Sequence, residues 1–279
     1  MKRTHKLAFV LGMLTVVGVA AAPQFRTARE AETGNEGTPN WSNPEPFKKD
    51  VFTFVRVKYP VDGRHGFGHT RPEERWMIDF PEADLNLSYR LQQLTSLKVD
   101  PNTHTLELTE KDLYDYPFIY IVEPGRLTFT DEEVVILRDY LLNGGFIMFD
   151  DFWGDREWAA FYEEIKKVFP TREPTELPLE HPIFHCVFDL KEKPQVPGEP
   201  HWPEFLATGK TWERGEDTRQ VHYRGIFDDK GRLMVMICHN TDLGDGWERE
   251  GYNEGYFHQF SEKSAYPLGI NIIYYAMTH

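Results

Sequence analysis

Gly144-Gly145-Phe146-Ile147-Met148-Phe149-Asp150-Asp151-Phe152-Trp153-Gly154 decides how this chain reads. The paired glycines stop a helix, because glycine enters the left-handed backbone region without steric cost. The apolar run after them suits a strand covered on both faces. That strand ends in two adjacent carboxylates and an indole. Ligands of open α/β sheets sit outside the carboxyl ends of the strands, so Asp150 and Asp151 are the first candidates for chemistry. Side chains alternate along a strand, so one of the two faces a ligand while the other caps the next helix or pairs with a base.

Working outward, Thr130-Asp131-Glu132-Glu133 is a capping box, and the helix it opens carries Val134, Leu137 and Leu141 on one face. Phe118 to Glu123 is a strand stopped by Pro124-Gly125, and Val51 to Tyr59 is a first strand stopped by Pro60. Asp84 opens a helix marked by Leu87, Leu91 and Leu94, and caps or favours its N-terminus. Trp158, Phe161, Ile165 and Phe169 mark another, ended by Pro170. Strand and helix alternate three times, which predicts an α/β fold: a three-layer, mostly parallel sheet. Thr171 to Thr218 breaks the pattern as a Pro-rich irregular insertion, too long for a plain connection and expected to be functional or covering. A hairpin follows, Gln220 to Phe227 and Arg232 to Cys238 about Asp228-Asp229-Lys230-Gly231. Pro267 then opens a terminal helix with Ile270, Ile273, Tyr274 and Met277 inward.

The N-terminus carries Lys2, Arg3 and Lys6, then an apolar run of 16 residues from Leu7 to Ala22 ending in Ala20-Ala21-Ala22. That is the layout of a secretory signal peptide. The expected organisation is a signal at 1–22, a flexible Pro/Gly/Asn/Thr-rich spacer at 23–46 and one α/β domain at 47–279. The chain is expected to be exported to the periplasm or cell envelope, touching membrane only if the apolar segment is retained. Losing the three basic residues leaves 28 Lys+Arg against 45 Asp+Glu, a charge of −17. Such a surface disfavours nucleic acid and anionic membranes. Cys186 and Cys238 are the only cysteines; they form one disulfide or stay as two separate thiols, and are too few for a thiolate metal framework.

Several residues compete for a functional role. Arg56, Glu123 and Asp150 fall near the ends of three strands, an arrangement that holds a hydroxylated ligand or closes the sheet with ion pairs. Trp153 covers the core or stacks on a ring. His239, Asn240, Asp242 and Asp245 form the densest polar loop, suited to ligand or metal contact or to Asx turns. The fixed calcium pattern of the EF-hand is absent. His181 and His185 are four apart, yet Pro182 between them opposes one helical face, and no partner Glu completes a zinc motif. There is no Walker A loop and no G-x-G-x-x-G after a strand, so the sequence specifies no cofactor.

Four stretches together carry a resemblance: Asp79-Phe80-Pro81-Glu82-Ala83-Asp84-Leu85-Asn86-Leu87, Gly144 through Gly154, His181-Pro182-Ile183-Phe184, and His239 through Trp247. From about Phe47 to His279 the chain resembles the bacterial domain-of-unknown-function family 4159. That family in turn looks like a member of the class I glutamine amidotransferase-like superfamily, as the trehalose-utilisation proteins do. The resemblance implies a flavodoxin-like three-layer fold. It implies no activity, since fold alone does not license function. A glutaminase of that superfamily presents Gly-x-Cys-x-Gly at the strand-to-helix turn. Here the turn reads Phe149-Asp150-Asp151-Phe152-Trp153-Gly154, with no thiol and no serine, so thioester glutaminase chemistry is not expected.

Three readings follow. The first is a binding domain that takes a polar ligand, a carbohydrate or envelope component, at the carboxyl edge of the sheet. The second is a hydrolase or isomerase with Asp150 or Asp151 as base and His239 or His185 as acid. The third is an envelope scaffold with a degenerate site, its Trp202 and Trp212 meeting a partner protein.

Overall fold

Alternation along three central strands sorts the core into two halves. Phe118, Tyr120 and Val122, with Phe146, Met148, Met236 and Cys238, pack on one face of a sheet. Ile119, Ile121, Ile147, Phe149, Val235 and Ile237 pack on the other. Both sets are fully or almost fully buried, as a sheet sandwiched between helices requires. The computed structural model describes residues 25–31, 37–45, 50–59 and 72–279. The expected export signal, parts of the spacer and residues 60–71 lie outside them.

Among the described residues the sheet has seven strands: β1 (Val55–Lys58), β2 (His104–Glu107), β3 (Phe118–Val122), β4 (Phe146–Asp150), β5 (Thr175–Glu176), β6 (His222–Phe227) and β7 (Leu233–His239). Their order is β2-β1-β3-β4-β7-β6-β5. The first five in that order run parallel, and β6 is antiparallel to β7. Helices α1 (Glu82–Leu94), α5 (Leu243–Glu248) and α7 (Tyr266–Thr278) cover the even-numbered face of β3 and β4, while α2 (Asp131–Leu142) and α3 (Gly154–Val168) cover the odd-numbered face. The expected α/β class and mostly parallel sheet are therefore present.

Local signals act as read. Thr130 Oγ1 accepts from the Glu133 amide at 3.2 Å, and Glu133 Oε2 accepts from the Thr130 amide at 2.8 Å, closing the capping box of α2. Two strands have no counterpart in the sequence reading. β2 lies at one edge with only Thr105 and Leu106 buried, and β5 at the other edge is two exposed residues long, too short for any periodicity. Asp84 lies inside the first turn of α1, where a carboxylate favours a helix N-terminus, but it is not the cap: it receives the Arg56 guanidinium. The insertion contains β5, the short helix α4 (Trp202–Thr208) and several single 3-10 turns. It folds over the carboxyl edge of the sheet, where the polar residues gather. Between α6 (Glu254–Tyr256) and α7, Phe257–Ala265 continues as π-helix.

Candidate functional site

Three neighbouring strands end in the same unusual way. Glu123 directly follows β3, Asp151 follows β4 and Asn240 follows β7, and all three sit in the left-handed region at φ 45°, 56° and 61°. Asp79, on the stretch between β1 and α1, joins them at φ 63°. Non-glycine residues seldom adopt this conformation, and when they cluster they do so at functional sites. Each bend turns the chain sharply off the sheet and brings a polar side chain to its carboxyl edge.

The outcome is a nest of carboxylates. One oxygen from each of Asp79, Asp151 and Asp242 lies within 4.8 Å of the others, and a second such set comprises Asp79, Asp245 and Glu248. Glu213, from the insertion, borders them. A methyl group at Gly198 would stand 2.8 Å from Asp245 Oδ2, 3.0 Å from Glu213 Oε1 and 3.2 Å from Asp242 Oδ2. Glycine there lets the backbone pass through the nest, and its amide donates to Glu213 Oε1 at 2.7 Å. Gly244 admits Asp79 in the same manner, its α-carbon facing Asp79 Oδ2.

Surrounding residues hold these groups in place. Arg56 is fully buried and donates to Asp84 from Nε at 3.0 and 3.1 Å and from Nη2 at 2.5 Å. Its Nη1 donates to the carbonyls of Trp76 and Ile78, the segment that delivers Asp79. Trp153 Nε1 donates to Asp151 Oδ1 at 2.9 Å. Asp150 points to the other side of the sheet, where Oδ2 accepts from the amides of Leu243 and Gly244, both at 3.0 Å, and from the Tyr120 hydroxyl at 3.3 Å. It thereby anchors the first turn of α5. Asp242 caps that helix, its Oδ1 accepting from the Asp245 amide at 2.7 Å. The Asn240 amide group ties the loop together, accepting from the Gly154 amide at 2.8 Å and donating to the Gln220 carbonyl.

Burial and mutual repulsion set the electrostatics. Asp151 is pushed well above the ordinary carboxylate range by burial, then by Glu123, Glu213 and Asp79. Asp242 is raised by burial, Asp151 and Asp245. Asp79 is raised by burial, Asp245 and Glu248, against the pull of Arg56. Glu248 is raised to about 8 by burial and its hydrogen bond with Asp245. Asp150 is raised to about 7 by burial, with the Gly244 amide holding it down. Asp79 Oδ2 is buried and accepts no hydrogen bond. Arg249 pairs with Asp245 at 3.0 Å and with Glu248 at 2.6 Å, but Asp79, Asp151 and Asp242 make no ion pair among the described residues, which calls for protons or a cation. Carboxylate oxygens are the ligands of hard divalent ions, and oxygens at most 4.8 Å apart fit around an ion bound at about 2.3–2.6 Å. Asp79, Asp151 and Asp242 thus suit calcium, magnesium or manganese.

Of the residues singled out in the sequence, Asp151, Asp242 and Asp245 meet in the nest. Arg56 does not reach a ligand position, because Asp84 and two carbonyls consume its donors. Glu123 is paired with Arg75. Trp153 is buried against the core and serves Asp151. His239 packs against Phe152 and Trp158, and both ring nitrogens are occupied: Nδ1 accepts from Arg224 Nη1 and Nε2 donates to the Gly154 carbonyl, each at 3.2 Å. Burial lowers its pKa to about 3, so it is a neutral structural imidazole. His181 Nδ1 accepts from the Ile183 amide, and His185 bonds Asp189 and the Leu179 carbonyl. Neither enters a metal-ligand group. Cys186 and Cys238 are both free thiols. Trp202 stacks on Phe205 and meets Tyr256 and Phe260 edge-on, while Trp212 lies between Lys210 and Arg219.

Asp79, Glu213 and Glu248 were not picked out as site residues. Asp79 was visible only as the first letter of the Asp79-Phe80-Pro81-Glu82 stretch. Glu213 lies in irregular chain, where no period marks a direction. The family model described as Domain of unknown function (DUF4159) matches residues 53–277. No curated protein matches the chain.

Proposed function

The chain belongs to the DUF4159 family, a domain of unknown function, and we propose that this member binds a polar ligand at the carboxyl edge of its sheet through a divalent cation held by Asp79, Asp151 and Asp242. The observation that carries the reading is the convergence of left-handed polar residues on carboxylates that lack positive partners. The strand order 2-1-3-4-7 supports the amidotransferase-like, flavodoxin-type version of the fold, in which ligands lie at the carboxyl edge near the reversal between β1 and β3. With neither thiol nor serine at the β4–α3 turn, the reading excludes a thioester glutaminase. The basic and apolar N-terminal segment supports placing this activity outside the cytoplasm.

The scaffold reading needs a mutually neutralised edge. Arg56 is paired with Asp84 and Glu123 with Arg75, not with each other, and Asp79, Asp151 and Asp242 make no ion pair among the described residues. A hydrolytic version keeps Asp151 as base and must replace His239 as acid. Glu248, which burial and its hydrogen bond with Asp245 raise to about 8 against the pull of Arg249 at 2.6 Å, favours that version and is its candidate acid.

Titration of the chain with calcium, magnesium and manganese, followed by calorimetry and thermal unfolding, tests the reading. A cation at 100 times its Kd stabilises the fold by about 2.7 kcal/mol. Asp242→Asn retains the cap of α5 and removes one charge, so it is expected to raise the cation-free midpoint while weakening cation binding at least tenfold. Asp151→Asn, which still accepts from Trp153, is expected to do the same. If no cation binds and both variants leave stability unchanged, the reading fails.

A further inference from the structure

A groove of about 490 Å³ runs along α3 between the turn at Gly125–Thr128 and the loop carrying Arg214. Its volume falls within the range of small-molecule sites, about 300–1,000 Å³. Trp153 lines it, and the same indole holds Asp151 through Nε1, so the groove and the carboxylate nest share a wall. Arg126, Arg156 and Arg214 come from three separate parts of the chain and line the same groove.

Both signs line it, and Asp217 lies at the same end as the arginines, accepting from the Asp155 amide at 3.1 Å. Arg156 and Trp153 stand at the start of α3, at the carboxyl edge of the sheet. Glu163 and Glu164 line the far end, about 10 Å away at 1.5 Å rise per residue. Glu164 is engaged by the Phe129 amide and by Lys167. Glu157, near the start, is engaged by Arg214 at 2.5 Å and by the Trp153 amide. Arg126 feels the crowding: burial and then Arg75 hold its guanidinium below the ordinary value, with Arg156 adding to them against Glu157 and Glu123. At the end nearest the sheet three guanidiniums meet two carboxylates, Glu157 and Asp217, each of which already accepts from a backbone amide, and the surplus positive charge, in a chain of net charge −14, marks a place for a negative group.

We propose that the end of this groove nearest the sheet holds an oxyanion group of the ligand, a phosphate, sulfate or carboxylate, with Arg156 as its principal donor and Arg126 and Arg214 beside it. This rests on the reading that the neighbouring carboxylates bind a cation, and it names the ligand class: a hydroxylated molecule carrying an acidic group. One oxygen of such a ligand meets the cation while its oxyanion lies against the arginines. A neutral sugar lacks the second contact.

The test uses the full chain and the probes inorganic phosphate, sulfate, acetate and glucose, titrated by calorimetry with and without magnesium. Saturable binding of at least one anion is expected, weakened at least tenfold in Arg156→Gln and in Arg126→Gln, with unfolding midpoints and magnesium affinity unchanged in both. Preference for phosphate and sulfate identifies a tetrahedral group, and preference for acetate a carboxylate; either supports the proposal. It is overturned if no anion binds, if glucose binds as well as the anions, or if both arginine variants bind like wild type. Anion binding that depends on Arg156 without any magnesium binding would remove the cation and leave the groove. Magnesium binding that depends on Asp151 without anion binding would remove the groove alone.

Discussion

Breaking the Arg56–Asp84 pair gives the sharpest view of how the fold serves the site. Both side chains are fully buried, and among the described residues Asp84 is the one anion that Arg56 hydrogen-bonds. In Asp84→Asn the guanidinium stays in the core with two carbonyl acceptors, Trp76 and Ile78, and the rings of Tyr120 and Phe80 at 5.0 and 5.8 Å. Removing one partner of a buried pair costs about 3–5 kcal/mol, since the other charge is left uncompensated. The surviving carbonyl contacts favour the lower end. At about 2–4 °C per kcal/mol for a chain of this size, the midpoint should fall by about 6–20 °C. Arg56→Met with Asp84→Leu removes both charges, leaving only the two carbonyls without their donor. It should cost less than the sum of the single changes by more than about 2 kcal/mol. Urea unfolding of wild type, Arg56→Met, Asp84→Leu and the double closes the cycle, with constant m values as the condition for comparison. Because Arg56 holds the carbonyls of Trp76 and Ile78, just before Asp79, Arg56→Met should also weaken cation binding at 25 °C, where the fold persists. A cost below about 1 kcal/mol for Asp84→Asn, or an additive cycle, would refute the reasoning.

Two more outcomes follow from the same geometry. The folded pKa of His239 lies near 3, below its ordinary value; the unfolded chain takes up a proton that the native one does not, so its contribution is complete above about pH 6.5 and is lost toward pH 3, at up to about 1.4 kcal/mol per unit. Stability measured against pH should lose one proton's worth of slope in His239→Phe, and an unchanged slope would contradict the neutral imidazole. Gly198→Ala sets a methyl group 2.8–3.2 Å from three carboxylate oxygens, so divalent cation binding measured by calorimetry should be lost; wild-type affinity would show that the nest is wider than described.

The parts of this architecture legible in the sequence are those governed by short-range rules. The Thr130–Glu133 box, the Gly144-Gly145 stop and the turn at Asp228 to Gly231 depend on a few adjacent residues, and they appear where expected. β2 escaped because an edge strand with two buried positions has no pattern to detect. The site was half legible for a related reason. Asp151 and Asp242 could be placed because strand ends and polar loops can be found along the chain. The pairing of Arg56 with Asp84 joins residues 28 apart, and nothing at either position names the other. His239 follows the rule of alternation as the last residue of β7, yet its chemistry depends on Arg224, Trp158 and the Gly154 carbonyl, three groups on other elements.

The division of labour between Asp150 and Asp151 explains why the chain has two carboxylates at one strand end. Asp150 obeys the alternation of β4, lies on the face covered by α5 and fixes the amides of Leu243 and Gly244. Asp151 leaves the alternation by entering the left-handed region, which turns its carboxylate toward Asp79 and Asp242. At about 1–3 kcal/mol each, the four left-handed residues at this edge cost about 4–12 kcal/mol, nearer the lower figure because aspartate and asparagine tolerate the region best. That is comparable with the whole stability of an ordinary domain, about 5–15 kcal/mol. Repulsion among buried carboxylates adds to it. Neither cost is required for packing: a glycine after each strand would make the same turn, and an asparagine at 151 or 242 would keep the same hydrogen bonds. On the proposed cation-binding reading these charges have their explanation in what they bind, and Asp150 has its explanation in holding them ready.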